Sequence, residues 1–391
     1  MKLTDRINRV EPSPTLSITA KANALKADGV DVISFSAGEP DFDTPEAIVE
    51  AAKRALDEGK TRYTASRGIV ELREAIAEDY ARRGREVSAD QVVVTVGGKQ
   101  ALFNASQVLF EEGDEVVVPS PYWVSYPAQI KLAGAQPVNI ECGIDTNFKL
   151  DPELLDRTLS SPECRGLILC TPSNPTGAVY TEDELRAVGE VLTDHPDVAV
   201  IFDAIYDQLY YDGDLSPDLV DLVPELAEQV VTFNGFSKAY AMTGWRLGFA
   251  IGPTETIDAM AKIQSQSTSG ATTFVQHGAL AAFDLPQDLL DERRDTFQER
   301  RDLIVEGLEE IDGVDCPTPS GAFYVFPDFS AYIGEDRRFS DDFELTEYLL
   351  EEAHVAGVPG SAFGAPGHLR FSYATGNEQI EEGLAGTAKA L

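Results

Sequence analysis

Residues 232–253 read TFNGFSKAYAMTGWRLGFAIGP, and one lysine, Lys238, lies in this apolar stretch punctuated by glycines. Arg246 follows eight residues later. The whole chain has 67 acidic and 31 basic residues, yet the stretch contains no carboxylate. Either Lys238 is a surface residue that buries only its aliphatic stem, or it is placed there for a function.

Lys238 ends the last of five short apolar runs, each of which closes in small, polar or turn residues. The runs are QVVVTV (91–96), EVVVPSP (115–121), GLILCTPSNP (166–175), VAVIFDAIY (198–206) and QVVTFNGFSK (229–238). Helical patterns such as TEDELRAVGEVLTD (181–194) separate some of them. Apolar strands that alternate with helices are typical of a parallel sheet covered on both faces. The sequence therefore predicts an α/β fold with a large domain, in which helices flank a mostly parallel sheet.

A second, smaller domain is predicted from the length of the chain and from a change in its pattern of charged and apolar residues. A chain of 391 residues is too long for one compact core. A long charged helical pattern begins near residue 285, and short apolar runs follow it. We expect residues 46–284 to form the large domain, and residues 1–45 with 285–391 to form a smaller α+β domain. Where the large domain begins, the pattern predicts a helix capped by Thr44 with Pro45 at its first position.

Composition excludes several classes of function. The net charge is −36 and is spread along the chain, which disfavours nucleic acid and anionic membranes as partners. We favour a surface adapted to high salt, a halophilic protein, over an ordinary acidic cytosolic one. No signal peptide or membrane span is evident, so we expect a cytoplasmic protein. The four cysteines and four histidines lack metal-ligand spacing, so no metal is expected.

The ends of the five runs carry the candidate functional residues, because ligands of parallel sheets bind beyond the carboxyl ends of the strands. A Gly-Gly pair at a helix start suits a phosphate. The other ends supply an aromatic ring, an amide, a carboxylate, a phenol and cations. The set is Gly97, Gly98, Lys99, Trp123, Asn174, Asp203, Tyr206, Ser237, Lys238 and Arg246.

Pyridoxal phosphate needs this combination of groups. A lysine forms a Schiff base with its aldehyde, and a carboxylate keeps its ring nitrogen protonated so that the ring withdraws electrons. A phenol and an amide bond the 3-oxygen, and an aromatic ring fixes the tilt. Taken singly, an aspartate after a strand is commonly a turn residue and a tryptophan is commonly core packing. The joint pattern, in this strand order, predicts the cofactor.

The chain resembles the class I aminotransferases of pyridoxal-phosphate fold-type I, and within them the aspartate aminotransferase-like subgroup. The shared motifs run through nearly the whole chain, and the spacing in GFSKAYAMTGWRLG (235–248) is highly specific. The other motifs are SAGEPDFDTP (36–45), RYTASRGIVELREAIA (62–77), VTVGGKQALFNA (94–105), SPYWVSYP (120–127), TPSNPTGAVY (171–180), DAIYDQLYYDG (203–213), SGAFYVF (320–326) and PGSAFGAPGHLRFSYAT (359–375).

The resemblance implies a role for each candidate residue. Lys238 is expected to bond the cofactor and to move the substrate's proton, with Asp203 on the ring nitrogen and Tyr206 on the 3-oxygen. Residues expected to bind the cofactor are Gly97, Gly98, Lys99, Trp123, Asn174, Asp203, Tyr206, Ser237, Lys238, Arg246 and Tyr63. Residues expected to bind the substrate are Gly38, Trp123, Asn174, Arg370 and Lys99.

Two further expectations follow from the resemblance. Tyr63 would reach the phosphate in the neighbouring subunit, which implies a homodimer with shared active sites. Some relatives have a serine where Gly235 stands, so one hydroxyl contact to the phosphate would be missing here.

The implied reaction is transfer of an amino group between an amino acid, with aspartate as first choice, and 2-oxoglutarate by a ping-pong mechanism. Alternatives are an aminotransferase for aromatic or neutral amino acids or for prephenate, and a pyridoxal-phosphate lyase on the same scaffold. A transcription regulator would need a DNA-binding module, and a non-catalytic binding protein would not need Lys238, Asp203 and Arg370 together.

Overall fold

The computed structural model describes residues 1–11 and 14–391. The helices are α1 (Pro14–Ala27), α2 (Glu46–Asp57), α3 (Val70–Arg82), α4 (Gly98–Leu109), α5 (Ser125–Ala133), α6 (Pro152–Leu159), α7 (Glu182–Asp194), α8 (Leu219–Leu222), α9 (Thr254–Ser267), α10 (Thr273–Ala279), α11 (Gln287–Glu309), α12 (Asp342–Tyr348) and α13 (Asn377–Ala390). The strands are β1 (Ile33–Ser34), β2 (Val92–Thr95), β3 (Glu115–Ser120), β4 (Gln136–Glu141), β5 (Cys164–Cys170), β6 (Ala199–Asp203), β7 (Val230–Gly235), β8 (Gly248–Ile251), β9 (Tyr324–Val325), β10 (Val355–Ala356), β11 (Val358–Pro359) and β12 (Leu369–Ser372).

The main sheet has seven strands in the order β2-β8-β7-β6-β5-β3-β4. Strands β3 to β7 are parallel to their neighbours among themselves, whereas β8 is antiparallel to both β7 and β2. Because β8 is antiparallel to both of its neighbours, β2 runs in the same direction as β7 and the other parallel strands. The predicted α/β fold with a mostly parallel sheet is confirmed.

Helices cover both faces of this sheet, and the alternation along β2 shows how. Val92 and Val94 pack with Tyr80 of α3 in one hydrophobic cluster. Val93, which points the other way, packs with Leu102 of α4 in another. Since all four residues of β2 are buried, the strand reads as a continuous apolar run.

The sheet brings the ends of its strands to one edge. Asp203 pairs with Cys170, the last residue of β5, and with Phe233, two residues before the end of β7, so the carboxyl ends of these strands lie close together. Gly235, the last residue of β7, pairs with Gly248, the first residue of β8. The segments that follow β2, β3, β5, β6 and β7 therefore meet above this edge.

A second group of short strands lies outside the main sheet. Strands β11, β12 and β9 form an antiparallel sheet, and β1 pairs with β10 in parallel. The pairing of β1 with β10 ties residues near the start of the chain to its last forty residues. These contacts support the division into residues 46–284 and residues 1–45 with 285–391, which stays a prediction.

The cap predicted for α2 is wrong. Pro45 occupies the cap position, with φ −52° and ψ 134°, and the helix begins at Glu46 without a side-chain cap. The Thr44 hydroxyl instead donates to the carbonyl of Ala241 at 2.7 Å and accepts from the Trp245 indole at 3.0 Å. Thr44 therefore anchors the segment between Lys238 and Arg246, which a local capping rule cannot foresee.

Candidate active site

A cavity of about 370 Å³ opens above the carboxyl edge of the main sheet. It is lined by eleven of the thirteen residues that the sequence assigned to the site: Gly38, Gly98, Lys99, Trp123, Asn174, Asp203, Tyr206, Ser237, Lys238, Arg246 and Arg370. Cavities of this size are typical of sites for small ligands and cofactors. Gly38 and Arg370, which are 332 positions apart in the chain, are thus brought to one place.

Lys238 lies in the centre of this set. Its amine donates to the carbonyl of Gly38 and stands 5.7 Å from the ring centres of both Tyr206 and Phe323. Burial lowers the pKa of Lys238 to about 8, and the nearby Arg370 charge acts in the same direction. A lysine with such a pKa is partly unprotonated near neutral pH and can act as a nucleophile or a base.

Asp203, at the end of β6, is a buried carboxyl group, and no cation among the described residues lies in hydrogen-bond contact with it. One carboxylate oxygen accepts from the backbone N–H of Ile205 at 3.0 Å, and the other accepts from the Tyr126 hydroxyl at 2.6 Å. Burial raises the pKa of Asp203 to about 6, although these hydrogen bonds favour the charged form. A positively charged ring nitrogen placed against this carboxylate would stabilise the charge, so Asp203 fits the partner that pyridoxal phosphate requires.

The start of α4 and Arg246 form an end of the cavity that suits an anion. Gly97 has a φ of +76°, and a Cβ there would lie 2.7 Å from Nη2 of Arg246. Glycine is therefore needed both for the turn and for the close approach of the guanidinium. Gly97 itself does not line the cavity, but Gly98 and Arg246 do. A helix N-terminus beside a guanidinium fits a phosphate group.

Gly235, the predicted departure from some relatives, has little room for a side chain. A Cβ at this position would lie 3.0 Å from Cα of Gly248 and 3.1 Å from the carbonyl oxygen of Leu247. Both contacts are to the backbone of β8 or the residue before it, so a side chain here would require β7 and β8 to move apart by a few tenths of an ångström.

Lys99, on the first turn of α4, shares this end of the cavity. Its amine stands 4.8 Å from the ring centre of Trp123. Burial and the charge of Arg246 both lower the pKa of Lys99. Among the described residues no carboxylate lies within salt-bridge distance of its amine, so Lys99 is a cation available to a ligand.

Arg370, on β12, forms another positively charged wall and is 4% exposed. It donates to the side-chain oxygen of Asn174 at 3.0 Å and to the carbonyl of Ser36 at 2.9 Å. Its guanidinium carbon lies 4.6 Å from the ring centre of Tyr324 and 5.1 Å from that of Phe363. The described residues supply no carboxylate partner, so a planar carboxylate of a ligand fits here.

Tyr63, like Gly97, does not line the cavity. Its side chain is 94% exposed. The role expected for it concerns a neighbouring subunit, so it stays a prediction.

Several residues at the site were not assigned from the sequence. They are Ser36, Glu39, Ile205, Phe233, Thr243 and Tyr324 in the cavity wall, and Tyr126 behind Asp203. Tyr126 lies three residues after Trp123, one helical turn on, which was a usable signal. Tyr324 occurs in SGAFYVF, but only the pairing of β9 with β12 places it beside Arg370.

Comparisons with known proteins identify the family of this chain. The family model for aminotransferases of class I and II matches residues 30–386. The chain is 48% identical over 388 residues to an aspartate/prephenate aminotransferase of Cereibacter sphaeroides, covering 98% of this chain and 97% of the relative. It is 45% identical to an aspartate aminotransferase of Bacillus subtilis, with 98% and 97% covered.

Solved structures give the same result. The aspartate aminotransferase of Rhizobium meliloti superposes with a TM-score of 0.95 at 43% identity, covering 100% of this chain and 98% of that one. The aspartate aminotransferase of Thermus thermophilus, solved with maleate, superposes with a TM-score of 0.94 at 43% identity, and both chains are covered completely.

The chain belongs to the class I and II aminotransferases. It is an enzyme that depends on pyridoxal phosphate and transfers an amino group between amino acids and 2-oxo acids. The described residues fit that cofactor, because the cavity offers a buried carboxylate, a lysine of lowered pKa and an anion-binding end. None of the helices in the described ranges is long and apolar enough to cross a membrane.

Proposed function

We propose that this aminotransferase uses aspartate as amino donor and 2-oxoglutarate as acceptor in the cavity around Lys238. Both molecules carry two carboxylates. The proposal is supported by the relatives in Bacillus subtilis and Rhizobium meliloti that are named aspartate aminotransferases.

One observation carries this choice of substrates: four cations line the cavity, and none has a carboxylate partner among the described residues. If Lys238 bonds the cofactor and Arg246 binds its phosphate, Arg370 and Lys99 remain for the substrate. Leaving a substrate carboxylate desolvated without a cation would cost several kcal/mol. Arg370 offers paired N–H groups to one carboxylate, and Lys99 offers a point charge to the second. A neutral substrate would bring no second carboxylate to the Lys99 amine.

Pyridoxal phosphate supplies an aldehyde that bonds amines and a ring that withdraws electrons from the reacting carbon. Asp203 would hold a proton at the ring nitrogen, and Tyr126 keeps that carboxylate in place. Tyr206 and Asn174 would bind the 3-oxygen, while Trp123 would orient the ring. Gly97, Gly98, Lys99, Ser237 and Arg246 would surround the phosphate.

Lys238 would move the proton. Its unprotonated amine would take the proton from the substrate α-carbon and would deliver it to C4′ of the cofactor, the former aldehyde carbon. The pKa of about 8 suits this task, since an amine near neutrality can both accept and give a proton. Arg370 and Gly38 hold the substrate so that the α-hydrogen faces this amine.

Replacing Lys99 by alanine tests the substrate assignment. We expect the KM for aspartate to rise roughly ten- to a thousandfold, a loss of about 1.5–4 kcal/mol for a charge-assisted contact. Alanine as donor serves as the internal control and should change far less. Lys149→Ala, which removes a lysine paired with Glu184 elsewhere, is the matched control variant. Equal losses for aspartate and alanine would assign Lys99 to the cofactor instead.

Prephenate is a second candidate acceptor, because the relative in Cereibacter sphaeroides is named an aspartate/prephenate aminotransferase. Prephenate also carries two carboxylates, so the same two cations could serve it. Rates with 2-oxoglutarate and prephenate, measured with one donor, distinguish the two acceptors.

We further propose a homodimer in which Tyr63 of one subunit contacts the phosphate bound by its neighbour. The support is that Tyr63 is almost fully exposed and stands away from the cavity of its own subunit. Sedimentation should give about twice the chain mass of 42.4 kDa. A monomer that is fully active would contradict this proposal. A cytoplasmic location is proposed as well, and cell fractionation tests it.

A further inference from the structure

Tyr324 connects two parts of the cavity that bind different groups. It is fully buried, and its hydroxyl oxygen lies 2.9 Å from the hydroxyl oxygen of Tyr206. The Arg370 guanidinium lies over its ring at 4.6 Å. One side chain thus touches both the residue that would bind the substrate carboxylate and the residue that would bind the 3-oxygen.

The direction of the hydrogen bond between the two tyrosines matters, because each hydroxyl has only one hydrogen. If Tyr206 gave its hydrogen to Tyr324, it would have none to give to a ligand. If Tyr324 donates, the Tyr206 hydrogen is free to point into the cavity. A hydroxyl that accepts a hydrogen bond also becomes a better donor.

The surroundings favour Tyr324 as the donor. Burial raises the pKa of both hydroxyls. The charge of Arg370 over the ring acts to lower the pKa of Tyr324, whereas Tyr324 itself and the negative charge of Asp203 raise the pKa of Tyr206 further. The other titratable groups that face this pair are Cys170 and Lys238. The more acidic partner of a hydrogen-bonded pair is the better donor.

We propose that Tyr324 is a positioning residue that donates to Tyr206, aims the Tyr206 hydrogen at the cofactor's 3-oxygen, and so couples carboxylate binding at Arg370 to the cofactor. This inference rests on the proposed roles of Tyr206 and Arg370. Asn174, which accepts from Arg370 at 3.0 Å, provides a parallel connection. Removing Tyr324 should therefore weaken the coupling without abolishing it.

The chain contains a matched control for this pair. Tyr211 and Tyr373 are also buried, and their hydroxyl oxygens are likewise 2.9 Å apart. Neither residue lines the cavity. Tyr373→Phe therefore removes a hydroxyl from a similar buried pair and reports the general effect of such a loss on stability. Tyr324→Phe removes the hydroxyl at the site and keeps the ring that lies under Arg370.

The test is a pH titration of the absorbance of the bound cofactor in the holoenzyme. A donor hydrogen on the 3-oxygen stabilises its negative charge and lowers the pH at which the lysine–cofactor bond loses its proton. In Tyr324→Phe we expect this midpoint to rise by about 0.3–1 pH unit, because Tyr206 becomes a weaker donor. In Tyr373→Phe it should not move. Saturating maleate should raise the midpoint in both proteins, and the rise should be larger in the wild type than in Tyr324→Phe.

Each outcome has a distinct meaning. A fall of the midpoint in Tyr324→Phe would show that Tyr324 accepts from Tyr206. An unchanged midpoint that maleate shifts as much as in the wild type would show that Tyr324 provides no coupling. Either result overturns the inference. A wild-type enzyme without any such titration would instead contradict the proposed function. If Tyr324→Phe does not fold, a fluorinated tyrosine at position 324 keeps the contacts and strengthens the donor, so the midpoint should fall, and an unchanged or raised midpoint overturns the inference.

Discussion

At the scale of single residues, the site combines groups whose charges are kept unpaired by the fold. Asp203 and Lys238 line the same cavity, and burial moves the pKa of each toward neutrality, raising that of Asp203 and lowering that of Lys238. Such shifts lower the stability of the protein without its ligand and prepare the groups for one. The bound cofactor would then supply partners for these two groups: a positively charged ring nitrogen for Asp203 and an aldehyde for Lys238.

Asp203→Asn should separate stability from activity. Because the pKa of Asp203 is raised from 3.8 to about 6 in the folded state, the stability that this group contributes is full below about pH 4 and is lost as the pH rises through 6. Asparagine does not titrate, although its oxygen can accept only one of the two hydrogen bonds. We expect the cofactor-free variant to gain about 1–2 kcal/mol relative to wild type between pH 4 and pH 7.

The same variant should lose at least about a hundredfold in turnover, because a neutral amide cannot hold a proton on the ring nitrogen. Thermal unfolding across this pH range, together with steady-state rates, checks both parts. A variant with unchanged rates would mean that another group protonates the ring. A relative stability that does not depend on pH would remove the buried charge from the explanation.

At the scale of elements, the site depends on how closely β7, β8 and the start of α4 approach one another. The sequence could predict the two strands that precede Trp123 and Asn174 and the strand that ends at Asp203, because each is a continuous apolar run. It could not predict β8, whose four residues follow directly on the turn at Arg246, or β4, an edge strand that is largely exposed. The sequence also could not predict the contacts of Thr44 and Tyr324. Their hydrogen-bond partners, Ala241 and Tyr206, lie about 200 and 118 residues away in the chain.

Gly248→Ala should show that this close approach is needed. A Cβ on Gly248 would lie 2.4 Å from the backbone nitrogen of Gly98, the first residue of α4. The turn that would bind the phosphate must then shift, which we expect to destabilise the protein by about 1–3 kcal/mol and to weaken cofactor affinity at least tenfold. Gly244→Ala is the control, because a Cβ there has no neighbour within 4 Å. Equal cofactor affinities in both variants would contradict this account.

At the scale of the whole molecule, the net charge of −36 dominates. The cavity concentrates cations inside a strongly acidic protein, so anionic substrates meet a favourable site only after passing a repulsive surface. Screening shortens the reach of this repulsion from about 30 Å at 0.01 M salt to about 3 Å at 1 M. The expected adaptation to high salt stays a prediction.

Thermal unfolding in dilute buffer and in about 1 M KCl tests that adaptation. We expect the midpoint to rise with salt, because self-repulsion destabilises the compact state. Unpaired surface carboxylates far outnumber the ion pairs that salt would weaken. A midpoint that stays constant or falls in KCl would contradict the interpretation.

The central claim is that Lys238 is the residue that bonds pyridoxal phosphate. Among the described residues, Lys238 and Lys99 are the lysines that line the cavity, so the two can be compared directly. Borohydride reduction of the holoenzyme makes the lysine–cofactor bond permanent, and peptide mass analysis then locates it. The account predicts the cofactor mass on the peptide containing Lys238, and its absence in Lys238→Ala. Cofactor on Lys99, or an unmodified Lys238 in active enzyme, would contradict it.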